Sequence, residues 1–173
     1  MPNKLSSYTC GILTLSDKGS RGERQDTSGP LLKELLTAQG FAVTAYQMLP
    51  DQEEMIAATL IAWADEEQLD LIVTTGGTGV SPSDRTPEAT RQVIEREIPG
   101  IGEAMRLASL AKTSQAVWSR GLAGIRGQCL IINLPGSAKA AKENLEAVLP
   151  VLAHGIDKIQ GSTVDCADLL KQT

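Results

Sequence analysis

The segment from Leu71 to Glu88, Leu-Ile-Val-Thr-Thr-Gly-Gly-Thr-Gly-Val-Ser-Pro-Ser-Asp-Arg-Thr-Pro-Glu, restricts the fold more than any other part of the chain. It reads as a buried apolar strand, a turn rich in glycine and hydroxyls, a lone aspartate and a helix start. Gly76, Gly77 and Gly79 permit positive φ and close backbone approach, so N–H groups can converge on an anion. Thr86-Pro87-Glu88 predicts a helix opening, with Thr86 as N-cap, Pro87 at the first helical position and Glu88 at the positive end of the dipole. A plain strand-to-helix connection can use any one of these glycines. It has no need for three of them together with hydroxyls and a carboxylate. The segment therefore predicts a phosphate site with Asp84 as a metal ligand.

Around this segment, apolar runs alternate with helical periodicity. Strands are expected over 10–15, 41–49, 69–74 and 128–133, with an irregular strand or hairpin over 116–126. Helices are expected from Pro30 to Gly40, from Gln52 to Glu66, from Thr86 to Glu97, from Ile101 to Ala111 and from Ser137 onward. Ile56, Leu60 and Trp63 fall on one helical face, as do Ala141, Leu145, Val148, Leu149 and Leu152. Near-continuous apolar strands separated by amphipathic helices predict a three-layer α/β fold, a mainly parallel sheet with helices on both faces. Ligands of such folds bind outside the carboxyl ends of the strands. Those ends carry Ser16-Asp17, Asp51, the Gly76–Asp84 turn and Asn133 to Ser137, so the chemistry is expected on one edge.

At 173 residues, one domain over 1–160 with a polar tail over 161–173 is expected. A net charge of −5 and an aromatic content of 3% argue against a nucleic-acid surface, which needs cations and stacking rings. Cys10, Cys129 and Cys166 are odd in number and widely spaced, without CxxC or a Cys/His cluster, which argues against structural zinc. Neither a signal-peptide core nor a membrane-length apolar run is visible, so a reduced cytoplasmic setting and no membrane partner are expected.

His154 is the single histidine, and near a helix C-terminus it reads as structural. No Ser-His-Asp or Cys-His device can be assembled without it. A P-loop is missing, and Thr-Gly-Gly-Thr-Gly after the third strand does not fit GxGxxG. What remains is acidic. Asp17, Asp51 and Asp84 beside an anion-binding turn suit Mg²⁺, which takes one or two carboxylates plus substrate phosphates. Asp51, three residues before Glu54, fits a capping box equally well, and Asp17 fits a turn. Lys18, Arg21, Arg24 and Lys139 are candidate phosphate partners, or simply solvated cations.

Thr74-Thr75-Gly76-Gly77-Thr78-Gly79 with Asp84-Arg85-Thr86-Pro87-Glu88 resembles the molybdenum-cofactor biosynthesis domain found in molybdopterin adenylyltransferases and in gephyrin. The likeness spans roughly residues 8 to 157. It includes Leu15-Ser16-Asp17, Asp26-Thr27-Ser28-Gly29, Pro50-Asp51, Pro99-Gly100-Ile101-Gly102-Glu103, Ser119-Arg120 and Asn133-Leu134-Pro135-Gly136-Ser137. The resemblance implies Mg²⁺-dependent transfer of AMP from ATP to the molybdopterin phosphate, with release of pyrophosphate. It also implies a homotrimer and a molybdate-insertion enzyme acting downstream. The family's two essential aspartates fall on Asp51 and Asp84, as catalytic and metal-binding residues. Substrate contacts fall on Ser16, Asp17, Thr75, Gly76, Gly77, Thr78, Gly79, Asn133, Pro135, Gly136 and Ser137, with Ser137 near the phosphate. A molybdopterin carrier without chemistry is the alternative within the family. A nucleotide pyrophosphatase akin to competence-damage proteins is a third reading.

Overall fold

The computed structural model describes residues 8–163, and Cys166 and most of the expected tail lie outside them. Six strands form one sheet in the order β2-β1-β3-β6-β5-β4. They are β1 (Thr9–Leu15), β2 (Ala42–Leu49), β3 (Leu71–Thr75), β4 (Arg96–Glu97), β5 (Ala123–Arg126) and β6 (Cys129–Leu134). β2, β1, β3 and β6 run parallel; at one side β5 pairs antiparallel with β6 and β4 pairs antiparallel with β5. The mainly parallel sheet read from the sequence is what the chain forms.

Period-2 alternation divides the strand side chains between two cores. Ile12, Leu71, Val73, Leu130 and Ile132 pack beneath α2 (Ser28–Ala38), α5 (Pro99–Leu110) and α6 (Ala138–Ile159). Leu13, Ile72 and Ile131 face α3 (Glu53–Ile61) and α4 (Thr86–Val93) on the other side. Ile56, Leu60 and Trp63 are all buried there, as their spacing requires; Trp63 sits in a π-helical turn, Ala62–Glu66, that continues α3. The remaining helical segments are the short α1 (Asp17–Ser20) and a 3₁₀ turn, Ser114–Trp118.

Three local expectations change. The helix expected to reach Glu97 stops at Val93. Beyond it the backbone turns to the sheet, with Glu95 N–H donating to the Ile125 carbonyl and Ile98 N–H to that of Ala123, both at 2.8 Å. Ile94 rests on Gly124, where an added Cβ would meet it at 2.5 Å, so strand pairing with β5 overrides local helical preference. Thr86 does not cap α4. Arg85 holds the N-cap position, and the buried Thr86 hydroxyl donates instead to the Gly76 carbonyl at 2.9 Å. Asp51 does not cap α3 either, because Gln52 occupies that position without a side-chain bond. The uncertain 116–126 stretch resolves into the 3₁₀ turn and a β5–β6 hairpin closed by Gly127-Gln128.

Candidate active site

Four parallel strands end on the same side, and the loops leaving them make a cavity of about 530 Å³. β1 contributes Thr14, Leu15 and Ser16; β2 leads into Asp51; β3 leads into Thr75, Gly76, Gly77 and, further on, Asp84; β6 leads into Gly136 and Ser137. The loop between α1 and α2 adds Arg24, Gln25, Asp26, Thr27 and Ser28. A second cavity, about 360 Å³, adjoins it across Gly136 and Ser137, which line both. Its walls include Thr78, Gly79 and Pro135, with Arg106, Ser109, Trp118 and Asn144 opposite.

Two of the three turn glycines take positive φ; Gly79 does not, but a Cβ there would meet Asp84 Oδ2 at 2.8 Å. Gly76 has φ +107° and Gly77 φ +63°, left-handed conformations that other residues rarely adopt. A Cβ on Gly77 would lie 2.3 Å from Thr86 Oγ1 and 2.9 Å from Asp51 Oδ1. The bare backbone there is what lets the turn sit against Asp51. Thr75 Oγ1 donates to the Pro135 carbonyl at 2.7 Å, tying the β3 turn to the β6 loop.

Asp51 and Asp17 lock each other. The Asp17 amide donates to Asp51 Oδ2 at 3.2 Å, and the Asp51 amide donates to Asp17 Oδ1 at 2.9 Å. Asp17, expected as a substrate contact, positions Asp51 through this reciprocal pair and is not among the residues lining the cavity. Asp51 keeps one oxygen, Oδ1, buried without any hydrogen-bond partner. Burial pushes the Asp51 carboxyl above its ordinary value, against the pull of the Asp17 amide; the nearby Asp17 and Asp84 charges add to the rise. An orphaned, charge-repelled carboxylate oxygen is a ready ligand for a hard cation. Asp84 accepts from the Ser81 amide through Oδ2 at 2.8 Å and lines the same cavity. Among the described residues no cluster of three or more acidic, histidine or cysteine side chains could hold a metal. Two carboxylates completed by phosphate oxygens fit Mg²⁺ without such a cluster.

Asn133, expected as a substrate contact, lines neither cavity, and its Oδ1 is buried without a hydrogen-bond partner. It is fully buried, its amide donating to Thr74 Oγ1 at 3.1 Å and Thr90 Oγ1 at 2.9 Å, which ties β6 to β3 and α4. Ser16 lines the cavity while its hydroxyl caps α1, accepting from the Gly19 amide. Ser137 caps α6, accepting from the Ala140 amide at 3.2 Å, and its exposed hydroxyl lines both cavities. Of the candidate cations, Arg24 lines the first cavity; Arg21 pairs with Glu23, and Lys18 and Lys139 line neither. His154 lines neither.

Sequence reasoning assigned no role to Asp26. Its carboxylate accepts from Thr14 Oγ1 at 2.7 Å, the Gly29 amide at 2.9 Å, Ser28 Oγ at 3.2 Å and the Tyr46 hydroxyl. Burial alone would raise this carboxyl, but those donors outweigh it and hold it below the ordinary value. The Asp-Thr-Ser-Gly run was the available signal. For Arg106, Ser109, Trp118 and Asn144 there was none, since distant helices and the 3₁₀ turn bring them together.

The chain that builds these cavities matches known proteins over most of its length. Residues 11–154 match a family described as the probable molybdopterin binding domain. Molybdopterin adenylyltransferase of Helicobacter pylori (strain J99) is 44% identical over 154 residues, 88% of each chain. Molybdenum cofactor synthesis protein cinnamon of Drosophila melanogaster is 44% identical over 157 residues; the match covers 90% of this chain but only 26% of that protein. The crystal structure of the molybdopterin biosynthesis enzyme MoaB from Thermus thermophilus superposes with a TM-score of 0.85 at 56% identity, covering 90% of this chain and 98% of the other. With the profile, the relatives and the fold in agreement, the chain belongs to the molybdopterin-binding-domain family of molybdenum-cofactor biosynthesis.

Proposed function

We propose that this protein is a molybdopterin adenylyltransferase, moving AMP from ATP to the molybdopterin phosphate. The observation that carries the reading is Asp51, whose unpartnered Oδ1 lies against the Gly77 turn in the cavity that Asp84 also lines. Relatives named for this activity support it at 44% identity. An oxygen of the pterin phosphate attacks the α-phosphorus of ATP, the bond from that phosphorus to the bridging oxygen breaks, and pyrophosphate leaves. The attacking phosphate is already largely ionised at neutral pH, so no strong base is needed. The absence of a histidine from the lining costs this reaction nothing.

Charge control and alignment are the demands that remain. The acid-lined cavity suits ATP, with its triphosphate over Gly76 and Gly77 and its cation on Asp51 and Asp84. The second cavity suits the pterin: Trp118 offers a plane, and Arg106, Ser109 and Asn144 offer donors and acceptors to a heterocycle edge. Gly136 and Ser137, shared by both, then stand where the two phosphates meet. Mg²⁺ bound at Asp51 and Asp84 would supply charge neutralisation of the triphosphate. Arg24, the cation lining the first cavity, adds to it from the opposite loop.

A carrier that binds molybdopterin without chemistry is the rival reading. A buried, repelled Asp51 oxygen argues against it, because a carrier gains nothing from a carboxylate placed against a phosphate site. We further assign the protein to the cytoplasm as a homotrimer, with its product passing to a molybdate-insertion enzyme. No helix among the described residues is long and apolar enough to cross a membrane. The deciding experiment measures pyrophosphate release with Mg²⁺ and ATP, with and without molybdopterin. Pterin-dependent release that Asp51→Ala and Asp84→Ala both abolish is expected. Tight pterin binding with no release would make the protein a carrier, and release independent of the pterin would make it a pyrophosphatase.

A further inference from the structure

Arg120 touches neither substrate cavity, yet it holds the walls of both. Its backbone N–H donates to the Thr78 carbonyl at 2.9 Å. Its guanidinium donates through Nε to the Gly79 carbonyl at 2.6 Å and through Nη2 to the Asp84 carbonyl at 2.7 Å. Nη1 pairs with Glu88 in the first turn of α4. The planar fork thus spans the whole loop from the end of the glycine turn to the helix that follows Asp84. Arginine offers five donors in one rigid plane, which a lysine ammonium cannot reproduce. Glu88 is held below the usual carboxylate range, chiefly by its hydrogen bond to Arg120. The pair is close to neutral, so Arg120 supplies geometry here rather than a free charge competing for phosphate.

We propose that Arg120 is a positioning residue that sets the Asp84 carboxylate for the reaction by pinning the Gly79 and Asp84 carbonyls. The inference rests on the adenylyltransferase reading and extends it to a residue outside the substrate cavities. Thr78 and Gly79 line the pterin-side cavity and Asp84 the ATP-side cavity, so the same strap keeps the two in register. Without the fork, Asp84 retains its bond from Ser81 N–H, but the 79–84 loop is released from its anchor on β5's approach.

Arg120→Lys is the informative variant, because it keeps the charge and loses the double carbonyl contact. An ångström of displacement at a reacting group can cost about 10²-fold in rate. A fall in kcat approaching that size is expected, with the Mg²⁺ concentration for half-maximal rate rising by a larger factor than KM for the pterin. Amide exchange at Ser81, Asp84 and Thr86 should accelerate in the same variant, a readout that needs no substrate. A lysine variant with wild-type kcat and Mg²⁺ dependence, whatever its melting temperature, would overturn the proposal. So would unchanged exchange at those amides. Wild-type protein that releases no pyrophosphate would defeat the adenylyltransferase reading instead, leaving the exchange data to judge the strap. Glu88→Gln serves as the second variant: it leaves both carbonyl contacts in place and should retain most of the rate.

Discussion

At the residue scale, function and stability pull against each other at Asp51. Its carboxyl is raised by burial and by the Asp17 and Asp84 charges, so the native state binds a proton there more readily than the unfolded chain does. Without metal, the ionised form therefore costs stability. The cost is full above the folded-state pKa and disappears as pH falls below the unfolded value. Asp51→Asn, tested without divalent cations, should raise the melting temperature at pH 7 and show no gain near pH 3. The gain should be at most about 1 kcal/mol, because the group is partly solvent-screened. The same variant should lose nearly all pyrophosphate release. Gly77→Ala makes the converse point. Its φ of +63° and the 2.3 Å approach of Thr86 Oγ1 to an added Cβ leave no room for a methyl group. We expect about 1–3 kcal/mol of destabilisation from strain, read by denaturant unfolding, together with a rate loss larger than that of any equally destabilised core variant.

At the element scale, the loop between α1 and α2 matters because it lines the first cavity and carries Asp26. Four donors hold that carboxyl below its ordinary value, so its stabilising contribution is present above the unfolded pKa and is lost as pH falls through the folded one. Asp26→Asn should cost about 1 kcal/mol at pH 7 and less as pH drops below about 4, followed by thermal melts across that range. The rate should fall as well, through the freed loop carrying Arg24 and Gln25. The elements themselves were readable from sequence to different degrees. β1, β3 and β6 announce themselves because both faces are buried and each carries a run of apolar residues, with Thr14, Thr74, Thr75 and Asn133 buried toward their carboxyl ends. The glycine turn was readable because only positive-φ backbone needs that composition. β4 was not, since Glu95-Arg96-Glu97 carries no strand pattern and its pairing is decided by Ile98, Ile94 and the distant β5. The pairing of Asp17 with Asp51 was not legible for a related reason: it depends on an amide 34 residues away, which no local spacing can reveal. Thr86 was misread because its hydroxyl found a carbonyl ten residues back before it could cap its own helix.

At the scale of the whole molecule, one face is too apolar to be left to solvent. Leu107 of α5 is 72% exposed, and Val117 and Trp118 of the following 3₁₀ turn are 58% and 59% exposed. Leu110, one helical turn beyond Leu107, is exposed as well. Large apolar side chains gathered on two packed segments mark an association surface more often than a functionless one. A homotrimer of the kind implied by the family resemblance would bury this face, and a stable contact requires roughly 800 Å² from each partner. Trp118 also lines the second cavity, so a neighbouring subunit seated here would stand close to that cavity. Leu107→Glu places a charge in the middle of the face without touching either cavity lining. In sedimentation-velocity runs at micromolar concentration, wild-type protein should sediment as a trimer and the variant as a monomer. The variant monomer should stay folded, because Leu107 belongs to neither core cluster. If the variant sediments as wild type does, the subunits meet elsewhere and the exposed Trp118 is accounted for by the substrate alone. If it dissociates and pterin affinity falls with it, the second cavity is complete only in the assembled protein.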